Sequence, residues 1–177
     1  MSYFAAAVVR DADGWSAAEV SLAEVADIED VADRLRDVRP DADVSLLFIE
    51  SDDSYLVILR LDHGEDLRVF GSDVAFAEES RLGALLLGEV GVPVIDLPVV
   101  DLASAEADDD AGDAGPEAAS AVDADPTGDA DLLADLGVPA AKLLALCTHE
   151  GMLPSDITAE VCQAIGCGDE IEELREA

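Results

Sequence analysis

The chain has 177 residues, half of them apolar and only 4% aromatic, which suits an aliphatic core in one ordinary domain, or in about 100 residues plus a small satellite, and argues against full-length disorder. Forty-two carboxylates against nine Lys and Arg give a net charge of −33. That field repels nucleic-acid phosphates and anionic membrane surfaces, and it points to a basic protein surface as partner, although an acidic coat kept for solubility alone would look the same.

Residues 3–9, "YFAAAVV", read as a buried strand, "DADG" (11–14) as a turn, and "WSAAEVSL" (15–22) as the second arm of a hairpin. In "DIEDVADRLRDV" (27–38), Ile28, Val31, Leu35 and Val38 fall on one face of a helix. Acidic residues crowd its start and arginines its end, as the helix dipole favours, and Pro40 stops it. "DVSLLFIES" (43–51) and "SYLVILRLD" (54–62) form a second predicted hairpin across Asp52 and Asp53. Tyr55, Val57, Leu59 and Leu61 share one face of the later strand and Leu56 and Ile58 the other, so it reads as a central strand covered on both sides up to Arg60. "HGED" (63–66) is a turn and "LRVFG" (67–71) a further strand. A helix is expected over 72–89 with Ser72 or Asp73 as its N-cap. "VPVIDLPVVDL" (92–102) is expected to be extended, and its two prolines suit a sheet edge.

The expected fold class is therefore α+β: an antiparallel sheet with two helices in the order ββαβββα over residues 1–102, an order like that of longin and profilin domains. From 103 to 128 the composition changes. This stretch holds eight carboxylates and no basic residue, and Val122 is its only large aliphatic. It is expected to be a disordered, self-repelling acidic linker. A small all-α unit should follow over 129–177, with helices at 129–137, 139–151, 154–168 and 169–177. Gly137, Gly151 and Gly166 serve as stops, and Ser155 or Asp156 caps the third helix. Alone, such a unit is marginal, so it should pack on something.

All three cysteines and one of two histidines fall between 147 and 167. Cys147, His149, Cys162 and Cys167 are thus the candidate metal ligands. The spacing C-x-H, then C-x4-C, is not that of a usual zinc knuckle, and i and i+2 on a helix point to different sides. The plainer reading is packing for Cys147 and dipole compensation for His149. Zinc nucleoside deaminases carry H-x-E and P-C-x-x-C. Here His149 and Glu150 are adjacent and no P-C-x-x-C exists, so the chain is not itself such a deaminase. Phosphate-loop, dinucleotide and nucleophile-elbow motifs are absent. His63 has no nucleophile that sequence can pair with it. Carboxylate pairs such as Glu78 and Glu79 are too common here to mark catalysis, and Asp108 to Asp110 lack an EF-hand frame. No catalytic residue and no cofactor is expected.

The odd cysteine count is not a disulfide framework. No basic residue precedes the apolar start, as a signal peptide would need, and no apolar run reaches membrane-spanning length, so the expected location is the cytoplasm.

"MSYFAAAVVR", "VSLLFIESDDSYLVILRLD", "RVFGSDVAFAEESRLGALLLGE" and "GDADLLADLGVPAAKLLALC" together resemble the tRNA adenosine deaminase-associated protein family of high-GC Gram-positive bacteria. The resemblance spans nearly all the chain outside the linker and rests on overall order, since these stretches hold no chemical motif. It implies association with the enzyme that converts the wobble adenosine of a tRNA anticodon to inosine, and it carries over no catalytic residue. The expectation is a non-enzymatic accessory protein whose partner presents a basic surface, with no direct contact to nucleic acid or membrane. Two alternatives remain: a small metal-binding module or metal-dependent enzyme built on the Cys/His cluster, and a homo-oligomer that self-associates through a sheet edge near Val92–Val100.

Overall fold

A computed structural model describes residues 3–51, 55–73, 81–88 and 126–177. Among the described residues the first half holds five strands and two helices: β1 (Tyr3–Asp11), β2 (Gly14–Glu19), α1 (Ile28–Val38), β3 (Val44–Ser51), β4 (Tyr55–Asp62), β5 (Asp66–Gly71) and α2 (Arg81–Gly88). After the break come β6 (Thr127–Gly128), a 3-10 turn (Ala134–Leu136), α3 (Ala140–Cys147), α4 (Pro154–Ile165) and α5 (Gly168–Glu176). The fold is α+β. Its six-stranded sheet runs β2-β1-β3-β4-β5-β6, with every neighbouring pair antiparallel. The expected segment 92–102, the linker to 125 and the start of the 72–89 helix at 74–80 lie outside the described residues.

Alternation along the strands separates two cores. Ala5, Ala7, Leu47, Ile49, Val57, Leu59 and Val69 face one side, where α1 and α2 cover them with Ile28, Val31, Leu35, Leu86 and Leu87. The helical face read from periodicity in α1 is the buried one, with Val38 partly buried at its end. Asp27 caps α1 by accepting from Asp30 N at 2.9 Å.

Ala6, Val8, Leu46, Phe48, Leu56, Ile58 and Phe70 face the other side. Here the cover comes from the C-terminal segment, through Leu132, Leu133, Leu143, Ile157, Val161 and Ile165. The register sets Ala6, Phe48, Ile58 and Phe70 in one row across four strands, and the row ends on Gly128 of β6. The last two residues of the expected linker are thus a strand. Gly128 has φ +93, and a Cβ there would fall 2.2 Å from the Val69 carbonyl oxygen, so only glycine fits.

Three local details differ from expectation. Residues 129–137 form turns and a single 3-10 turn rather than a helix. The carbonyl of Leu132 accepts from Arg60 Nη1 at 2.5 Å, while Leu136 N donates to Leu133 O at 3.0 Å, so the chain tightens to the i→i+3 pattern. The N-cap of α4 is Leu153, not Ser155 or Asp156. Pro154 takes the first helical position and Asp156 reaches back to accept from Leu153 N at 3.2 Å. The helix expected over 139–151 ends at Cys147, before Gly151. Gly137 and Gly166 do close their turns in the left-handed region, at φ +105 and +92.

Candidate interaction surface

With so few cations, where each one goes decides what the surface looks like. Arg60 projects from β4 into the second core and is only 4% exposed. Arg68 lies directly opposite it on β5, a like-charge pairing that is unfavourable without intervening carboxylates. Asp62 supplies one. Its Oδ1 accepts from Arg60 Nε and Nη2 at 2.9 and 2.8 Å, and its Oδ2 from Arg68 Nη2 at 2.8 Å. Asp135, from the 3-10 turn, takes both terminal nitrogens of Arg60, the Nη2 bond measuring 2.8 Å. Asp129 stands 3.7 Å from Arg68.

The protonation consequences follow from these contacts. The hydrogen bonds that Arg60 donates to Asp135 raise its pKa against the opposing effect of burial, so its charge is fixed. Burial alone would raise the carboxyl of Asp62, but the hydrogen bonds from Arg60 and Arg68 outweigh it and hold the carboxyl below its ordinary range. Asp135 is likewise held low, chiefly by its hydrogen bond from Arg60.

Five further arginines make contacts within the fold. Arg175 of α5 pairs with Glu50 of β3 and lies over the Phe4 ring, 5.5 Å from its centre. Arg34 donates to the carbonyls of Ser21 and Ala23 at 2.9 and 3.1 Å. Arg36 bonds the Gly64 carbonyl and Asp33, Arg39 pairs with Asp11, and Arg10 lies over Trp15. These guanidinium groups tie segments together, and the excess of 42 carboxylates over nine Lys and Arg sets the sign of the surface.

The Cys/His candidates are distributed as follows. Cys162 and Cys167 are buried, and a hydrogen bond between them, with burial, pushes the Cys167 thiol far above its ordinary value. Cys147 is partly buried at the end of α3, and burial pushes its thiol up to about 12. His149 is exposed in the following loop, its Nδ1 3.1 Å from the Glu150 carbonyl oxygen. Among the described residues no three His, Cys, Asp or Glu side chains converge as a metal-ligand group. The surroundings of Cys147 and Cys167 suppress thiolate, the form that binds metals and attacks electrophiles. His63 lies in the β4–β5 turn at φ +49, its Nδ1 3.9 Å from the Asp43 carboxylate.

What sequence reading missed is the Arg60 cluster. Arg60 was visible as the one interruption of an apolar strand, but its partner Asp135 lies 75 residues away and nothing local points to it.

A family model described as Rv3753c-like tRNA adenosine deaminase-associated protein matches residues 3–168. The chain belongs to that family, in agreement with the resemblance seen in its sequence. No curated protein and no solved structure matches it. Among the described residues no helix is long and apolar enough to cross a membrane.

Proposed function

We propose that this member of the tRNA adenosine deaminase-associated family is a non-enzymatic cytoplasmic accessory protein that binds the deaminase itself, through electrostatic contact with a basic surface of that enzyme. One observation carries the reading: Arg60 is buried and Arg175 is paired with Glu50, both engaged in holding the fold together, while the chain keeps a net charge of −33. An enzyme that binds tRNA needs cations that face phosphate. An acidic protein complements such a face, covering it or steering its encounters. Direct contact of this chain with tRNA runs against the same charge.

Size-exclusion chromatography with light scattering, on the protein mixed with its own organism's tRNA adenosine deaminase, tests the proposal. A joint peak is expected at low salt, weakening toward physiological ionic strength as screening shortens the range of exposed charges. Separate peaks at both salt concentrations would reject physical association.

A further inference from the structure

The outer side of the C-terminal helices combines acid with apolar surface. Between the end of α3, the loop after it and α4 lies an open groove of about 540 Å³. The half-buried Leu146, Met152 and Ala159 line its floor, and the exposed Glu150, Asp156 and Glu160, with His149, line its rim. Leu146 and Met152 also pack against the second core, so the floor is anchored to the sheet. A second groove of about 260 Å³ lies between α4 and α5. It shares Ala159 and Glu160 with the first and adds the carboxylates of Asp169 and Glu172. Neither groove is lined by Lys or Arg. Leu153, which follows Met152, is 41% exposed and is one of two exposed large hydrophobics among the described residues.

We propose that these adjoining grooves seat a short basic amphipathic segment of the protein partner. Its apolar side chains would rest on Leu146, Met152 and Ala159, and its Lys or Arg side chains would meet Glu150, Asp156, Glu160, Asp169 and Glu172. This deepens the reading above and rests on it, because it locates the contact within an otherwise general acidic surface. Apolar contact supplies affinity and the charged rim supplies orientation and encounter rate. Charge complementarity selects this occupant. The chain's own residues 89–125 contain no Lys or Arg, so they are mismatched to the rim. A second copy would bring the same excess of carboxylates, and phosphate backbones are repelled.

Two probes test the site. The first is a synthetic Leu/Arg amphipathic peptide titrated into the isotope-labelled full chain, followed by backbone amide shifts. Saturable shifts centred on Leu146, Met152 and Ala159 are expected. Shifts scattered over the acidic surface, or none, would overturn the proposal whatever the deaminase does. The second is the deaminase, measured against wild type, Ala159→Tyr, which fills the floor, and the exposed Glu160→Lys. The control is Asp37→Lys, an exposed reversal on α1 across the sheet. The two groove variants are expected to weaken binding about tenfold and the control less than about threefold. Equal loss in Glu160→Lys and Asp37→Lys would overturn the groove while leaving the acidic accessory reading intact. A peptide that fills the groove beside a deaminase that does not bind wild type would retain the groove and reject the deaminase as partner.

Discussion

The two faces of the sheet are covered by different means. On the first face, α1 and α2 sit close in sequence to the strands they cover, and they cover them with aliphatic side chains. On the second face, the cover begins more than fifty residues after β5 ends, and it brings charge into the core. Arg60 joins β4 to the 129–136 segment and Arg175 joins α5 to β3. A buried ion pair is weak as a source of net stability, since desolvation offsets much of its attraction, but it penalises misplacement heavily. The contrast teaches that a cover tethered closely needs only area, whereas a distant one gains from a contact with a single correct register.

Removing residues 129–177 breaks the comparison outright. It would leave Leu46, Phe48, Leu56, Ile58 and Phe70 facing water. The expected outcome is loss of cooperative unfolding in calorimetry, with aggregation seen by light scattering. A truncated chain that melts cooperatively would mean the second cover is dispensable.

Arg60→Ala isolates the register contact. It leaves the Leu132 carbonyl and the Asp62 and Asp135 carboxylates without their shared donor, and a loss of about 3 kcal/mol in urea unfolding is expected. Trp15 is the only tryptophan and packs against the second core. In this variant its fluorescence transition should precede the loss of far-ultraviolet circular dichroism. Coincident transitions would show that the two covers melt as one unit.

Gly128→Ala acts where the second cover joins the sheet. The clash with Val69 O and the positive φ predict a cost of about 2 kcal/mol, readable as a lower urea midpoint with unchanged slope.

The smallest effect is in acid. Asp62 and Asp135 have folded pKa values below the ordinary 3.8. Their contribution is therefore complete above the unfolded value and is lost as pH falls through the folded values. Acidification also relieves repulsion across the whole chain, so the informative quantity is a difference. The stability gap between wild type and Arg60→Ala should be constant above pH ~5 and should narrow below pH ~4. A gap that widens in acid would contradict the cluster.

Much of the first face was legible because its signals are local. The 3.6-residue period of Ile28, Val31 and Leu35 predicts α1, and the alternation in 55–61 identifies β4 as central with apolar residues on both sides. That double apolarity was also the hint that something must cover the second face. What sequence could not supply was the identity of the cover. The 129–137 segment reads locally as a helix yet forms turns, because the Leu132 carbonyl is claimed by an arginine from a strand 72 residues earlier. The candidate surface was half legible. Its acidity is compositional and plain, whereas the grooves need Leu146, Met152 and Ala159 brought together from two helices and a loop, which no spacing rule reports.

Hydrogen–deuterium exchange of the full chain, alone and with its organism's tRNA adenosine deaminase, tests the central claim most directly. The account predicts added protection over 146–163 on binding, with no change in α1. Protection confined to α1, or no change anywhere at salt where a complex forms, would contradict it.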